Sequence, residues 1–167
     1  MLHDSRSHDP RQGKEQLVRE LLAAKEASGK TYDEIATELG VTNVYCANLF
    51  YNQAQLKKGT APKLKKIVPA LSDGHLDAMQ LAPFRTWPDN LLQEPNVYRT
   101  YEAIMHNGEA IKALINEQAG DGIMSAIDFY CSVKTIKGKA GEDRVVLTFN
   151  GKYLKHIEQF TEDDTSQ

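Results

Sequence analysis

Gly120-Asp121-Gly122-Ile123-Met124-Ser125-Ala126-Ile127-Asp128-Phe129-Tyr130-Cys131-Ser132-Val133 is where this chain changes its periodicity. From Ile123 onward, Ile123, Ser125, Ile127, Phe129, Cys131 and Val133 alternate with Met124, Ala126, Asp128, Tyr130 and Ser132, the two-residue repeat of a strand. Upstream the repeat is helical. Val97, Tyr101, Ile104, Met105, Ile111, Leu114 and Ile115 predict one long helix from about Asn96 to Gln118, those side chains inward, kinked or weakened at Gly108. Gly120-Asp121-Gly122 breaks that helix. Downstream, Lys137 to Asp143 is a polar turn and Val145, Leu147 and Phe149 alternate again. Asn150-Gly151 reads as a tight hairpin leading to Lys152-Tyr153-Leu154. One helix and three short strands do not cover both faces of a sheet, so this half is expected to complete itself with a partner chain.

Working back toward the start, the pattern is helical throughout. Leu17, Val18, Leu21, Leu22 and Ala24 form one face of a helix from Lys14 to Ser28, stopped by Gly29. Thr31 followed by Glu34 is a capping box for a second helix ending at Gly40, and Thr42 caps a third through Phe50. Two short helices follow, at Thr60 to Leu71 and Gly74 to Leu81. Pro83, Pro88 and Pro95, mixed with Phe84, Trp87, Leu91 and Leu92, mark a packed linker. The expected class is therefore α+β. Its parts are a flexible arm at 1–13, an all-helical bundle at 14–82, a linker at 83–95, a helix-and-strand domain at 96–160 and a disordered acidic tail at 161–167.

The chain has 167 residues and a formal net charge of −3, so nothing in bulk draws it to nucleic acid or an anionic membrane. The −3 sits wholly in residues 95–167, with 8 basic and 11 acidic groups; residues 1–94 carry 12 of each. No apolar run is long enough to span a bilayer. Cys46 and Cys131 lack metal-ligand spacing, and the polar first thirteen residues do not resemble a secretory leader, so free thiols in the cytoplasm are expected.

Thr31 to Phe50 has the spacing of a helix-turn-helix, lambda-repressor-like unit, with Ala36 small at the helix contact and Gly40 at the turn. Reading DNA would place Thr42, Asn43, Tyr45, Cys46 and Asn48 against base edges. No Lys or Arg occurs between Lys30 and Lys57, so the phosphate contacts that dominate affinity are missing. A structural role for the bundle is expected, and a DNA-binding regulator with a C-terminal oligomerisation domain is the competing reading.

In the second half, Arg99 and Glu102 lie three apart at the start of the long helix and share a face, either as a surface ion pair or as part of an anion site. A cation there opposes the helix dipole. Ser125 stands on an apolar strand face, either as a small residue bonded to backbone or as a donor at the mouth of a pocket. No base accompanies it in sequence, and His106 and His156 carry no signature of a Ser-His-Asp nucleophile.

The pattern Tyr98-Arg99-x-x-Glu102, a helix, Gly120-Asp121-Gly122-Ile123-x-Ser125-Ala126-Ile127, then Asn150-Gly151-Lys152-Tyr153-Leu154 resembles the cyanase (cyanate lyase) family over roughly residues 14–160. The resemblance implies an intertwined dimerisation and catalytic domain, homodecamers built from dimers, and a helical bundle that serves assembly. It implies catalytic positions at Arg99, Glu102 and Ser125, with Ile123 and Leu154 lining the pocket. It also implies decomposition of cyanate with bicarbonate as co-substrate, giving carbamate and carbon dioxide, and no metal or organic cofactor. The chain departs from the family pattern at Thr100, where a bulky apolar residue is usual, at Ala119 in place of an aromatic, and at Lys155 in place of a proline.

Overall fold

The computed structural model describes residues 10–166, so the expected arm lies outside the described residues as far as residue 9. Among the described residues, six helices and two strands occur in the order α1 (Pro10–Ala27), α2 (Tyr32–Leu39), α3 (Asn43–Phe50), α4 (Ala61–Ile67), α5 (Asp73–Gln80), α6 (Pro95–Ala119), β1 (Gly122–Lys137) and β2 (Asp143–Lys155). Short 3-10 turns occupy Leu91–Gln93 and Thr161–Asp163, the second within the tail expected to be disordered. α1 begins four residues ahead of the expected Lys14. The strands pair as one two-stranded sheet. The chain divides into two units: residues up to Thr86 with Tyr130–Phe149, and Trp87–Phe129 with the segment from Asn150 onward.

In the first unit the caps decide where helices begin. Glu34 N–H donates to Thr31 Oγ1 at 3.2 Å and Thr31 N–H donates to Glu34 Oε2 at 2.7 Å, which closes the capping box of α2. Gly40 takes φ +80° and its N–H bonds Ala36 O at 2.8 Å, so α2 ends in the left-handed turn that glycine adopts without strain. Ala36, almost fully buried, lets the next helix approach. Leu21, Ile35, Leu49, Phe50, Leu56, Leu64, Val68, Leu71 and Met79 then form one close-packed core. Each such side chain contributes about 1.5–3 kcal/mol on burial. Cys46 is fully buried within it, and desolvation pushes its thiol up to about 11, so it fills space as a neutral group.

The segment after α5 is tied to this unit through its carbonyls and the Arg85 side chain. Lys14 Nζ donates to Phe84 O at 3.1 Å and to Thr86 O at 2.8 Å, and Arg85 Nε donates to Gln53 O at 3.2 Å.

The second unit differs in kind. α6 is one helix of 25 residues with no buried residue, and Gly108 does not interrupt it. Tyr101, Ile104, Met105, Ile111 and Leu114, expected to point inward, are 43–62 % exposed within the chain. The expected third strand is absent too, because β2 runs through Asn150-Gly151 without turning. Gly151 serves close approach instead. A Cβ there would collide with the Ser125 carbonyl oxygen and the Met124 side chain.

Candidate functional site

The candidate residues Arg99, Glu102 and Ser125 lie at the start of α6 and the start of β1, both in the second unit. Glu94 caps α6: its Oε2 accepts from Asn96 N at 2.9 Å and from Val97 N at 3.1 Å, and Pro95 takes the first helical position. That start fixes Arg99 and Glu102 on adjacent turns of one face. Arg99 Nη1 donates to Glu102 Oε2 at 2.6 Å, and the guanidinium carbon lies 5.8 Å from the centroid of the Tyr98 ring. The Glu102 carboxylate raises the Arg99 pKa above its already high ordinary value, so this side chain is a permanent cation. One donor of the guanidinium fork is used in that bond. The fork has five donors and the side chain that carries it is 72 % exposed, so an incoming anion can reach it.

Ser125 is buried in a strand whose other residues are exposed or half-buried. Its Oγ accepts from Ile127 N at 3.1 Å and from Asp128 N at 3.0 Å. A hydroxyl has two acceptor lone pairs and one proton, so with both acceptors engaged its remaining capacity is a donated hydrogen bond. The backbone-bonded reading of this serine therefore holds, and it is what turns the residue into a fixed donor. Ile123 on β1 and Leu154 on β2 are apolar and 56 % and 43 % exposed.

Within the chain the structure joins Arg99 to Glu102. The Ser125 hydroxyl bonds to its own strand and to neither of them. A residue that sequence reasoning passed over is Tyr153, half-buried, whose hydroxyl donates to Gly120 O at 2.6 Å. Nothing in strand alternation marks it, since a tyrosine is an ordinary strand residue. Asn43 is another. Its Nδ2 donates to Asp33 Oδ1 and to Val133 O, both at 2.7 Å, and its Oδ1 accepts from Val133 N at 3.1 Å. A residue that would face base edges is thus bound to the hairpin, and the DNA-binding reading has no support.

Among the described residues there is no group of three or more His, Cys, Asp or Glu able to hold a metal ion, and no helix long and apolar enough to cross a membrane.

Comparison with known proteins gives one answer. A family model described as the cyanate lyase C-terminal domain matches residues 89–158. The chain is 56 % identical over 154 residues to a cyanate hydratase of Arabidopsis thaliana, covering 92 % of each. It is 60 % identical over 148 residues to a cyanate hydratase of Phaeodactylum tricornutum, covering 88 % of this chain and 77 % of that one. The crystal structure of cyanase from T. urticae superposes with a TM-score of 0.72 at 28 % identity, covering 84 % of this chain and 97 % of that one.

Proposed function

This chain belongs to the cyanate hydratase family, and from that premise we propose that it decomposes cyanate with bicarbonate at a site made by Arg99, Glu102 and Ser125. The observation that carries the proposal is the 2.6 Å Arg99–Glu102 bond, which presents a fixed cation at the start of α6. Two substrates of like charge repel, and positive charge in a water-poor cavity lets them approach. Charge-assisted bonds from the planar fork contribute about 1.5–3 kcal/mol each. Glu102 orients that fork. Ser125 donates its hydroxyl proton in a hydrogen bond to a substrate atom, and Ile123 and Leu154 exclude water.

The reaction balances with few parts. A bicarbonate oxygen bonds to the cyanate carbon, one proton is taken up on nitrogen, and cleavage of a carbon–oxygen bond of the adduct leaves carbamate and carbon dioxide. Carbamate with a second proton gives ammonia and another carbon dioxide. No electrons change hands, so the chemistry calls for no redox cofactor. Most of the rate comes from holding bicarbonate against the cyanate carbon, since good alignment is worth up to about 7–11 kcal/mol.

The exposed apolar face of α6 supports self-association, with the family's homodecamer of intertwined dimers as the specific form and partner chains closing the cavity around Arg99. A cytoplasmic setting accords with the two free cysteines. The test is ammonia release from cyanate with and without added bicarbonate. Release that requires bicarbonate is expected, and release indifferent to it would overturn the mechanism.

A further inference from the structure

The far end of β2 closes onto the turn that leads into Ser125, through several separate contacts. Tyr153 Oη donates to Gly120 O at 2.6 Å, holding the carbonyl of the residue that ends α6. His156 N–H donates to Asp121 O at 3.2 Å. Gly122 lies flush against the Tyr153 ring: a Cβ on it would stand 2.8 Å from Cζ and would collide with the Leu154 carbonyl oxygen. Three residues further along, the bare backbone of Gly151 meets the Ser125 carbonyl. Gly120 itself sits at φ +85°, a conformation glycine adopts without strain, and its N–H donates to Asn116 O at 2.9 Å, so its carbonyl is the group that Tyr153 secures across the sheet end.

We propose that Tyr153 is a positioning residue for Ser125, its hydroxyl and ring clamping the Gly120-Asp121-Gly122 turn so that the Ser125 donor is presented at one fixed place. The inference rests on the reading of Ser125 as the substrate donor. Ser125 Oγ is held by N–H groups of its own strand, so its place in space is the place of that strand. The strand enters through a turn of two glycines and an aspartate, which has no stiffness of its own. Removing the Tyr153 hydroxyl releases the Gly120 carbonyl to water while leaving the ring against Gly122. A displacement of about 1 Å at a reacting group costs up to about a hundredfold in rate, so a partly loosened clamp is expected to cost about tenfold.

The experiment is a double-mutant cycle on the full-length protein, with kcat/KM for cyanate at saturating bicarbonate as the readout. Tyr153→Phe is expected to lower kcat/KM by about tenfold with Tm and assembly size unchanged. In a Ser125→Ala background, or Ser125→Cys where turnover of the alanine variant falls beneath detection, the same change is expected to cost less than about twofold. A purely structural tyrosine would cost the same in both backgrounds, and that result overturns the proposal. Full activity of Tyr153→Phe beside an impaired Ser125→Ala overturns the clamp alone. Full activity of Ser125→Ala overturns the reading of the serine and the clamp with it.

Discussion

At the scale of single residues, the Arg99–Glu102 pair separates what a side chain does for the fold from what it does for chemistry. The Arg99 side chain is 72 % exposed and that of Glu102 49 % exposed, so water screens the pair and it contributes little to stability. Its proposed value lies in the planar fork, whose geometry suits a carbonate-like anion accepting two N–H groups at once. Arg99→Lys keeps the charge and loses the fork. We expect it to lower cyanate turnover by at least about a hundredfold, the loss of two directed charge-assisted bonds, with Tm moved by no more than about 2 °C. Steady-state kinetics beside a melting curve checks both halves, and turnover within twofold of the parent would remove Arg99 from the mechanism. This pair was legible in the sequence because i,i+3 spacing on a helix decides adjacency by itself. Ser125 was only half legible. Alternation told which face it shares with Ile123 and Ile127, whereas its bonds to Ile127 N and Asp128 N follow from a local backbone conformation that alternation does not encode.

At the scale of elements, the parts read correctly are those whose signals are local. Thr31, Glu34 and Gly40 define α2 through contacts within four residues, so the sequence alone contains the whole cause. Thr31 Oγ1 accepts from Glu34 N–H and donates to Glu34 Oε2 at 3.0 Å, so Thr31→Ala removes two bonds and is expected to cost about 1 kcal/mol near neutral pH. The backbone and hydroxyl bonds from Thr31 hold the Glu34 carboxyl below its ordinary pKa. A lowered folded-state pKa means the contribution is complete above the ordinary value and lost as pH falls through the lower folded value. The cost of Thr31→Ala should therefore shrink on going from about pH 7 to about pH 3, as read from urea midpoints; an equal cost at both would detach the carboxylate from the cap. Asn150-Gly151 shows the opposite case. The same dipeptide suits a tight hairpin and a strand that must pass close to another backbone, and the difference is the Ser125 carbonyl, 26 residues away in sequence and adjacent in the sheet. Gly108 does not end the helix for a related reason: a lone glycine costs about 1 kcal/mol against alanine, which a 25-residue helix absorbs without a break.

At the scale of the whole molecule, the two units obey different stability rules. The first holds its own core, with Leu21, Ile35, Phe50, Leu64 and Leu71 withdrawn from water. The second presents a helix roughly 37 Å long that buries nothing, beside strands on which Ile127 is 98 % exposed. Exposed apolar side chains at Tyr101, Ile104, Met105, Ile111 and Leu114 recur at helical spacing, and a soluble chain does not leave a stripe of that length to water. These side chains are 43–62 % exposed, so covering them removes about half of each from water, and that burial is the driving force a partner chain offers. Leu114→Glu places a charge on that stripe several turns after Arg99, on an element the first unit's core does not use. Sedimentation velocity should show the parent protein well above its 18.7 kDa chain mass and the variant shifted to smaller species. Far-ultraviolet circular dichroism should keep the signal of the bundle, because Leu21, Phe50 and Leu64 are untouched. Turnover should fall with the assembly and recover in part as protein concentration rises, since a site closed by partner chains regains its walls by mass action. A parent protein that sediments as a monomer while turning over cyanate would show that the stripe is not an interface and that the site is complete within one chain.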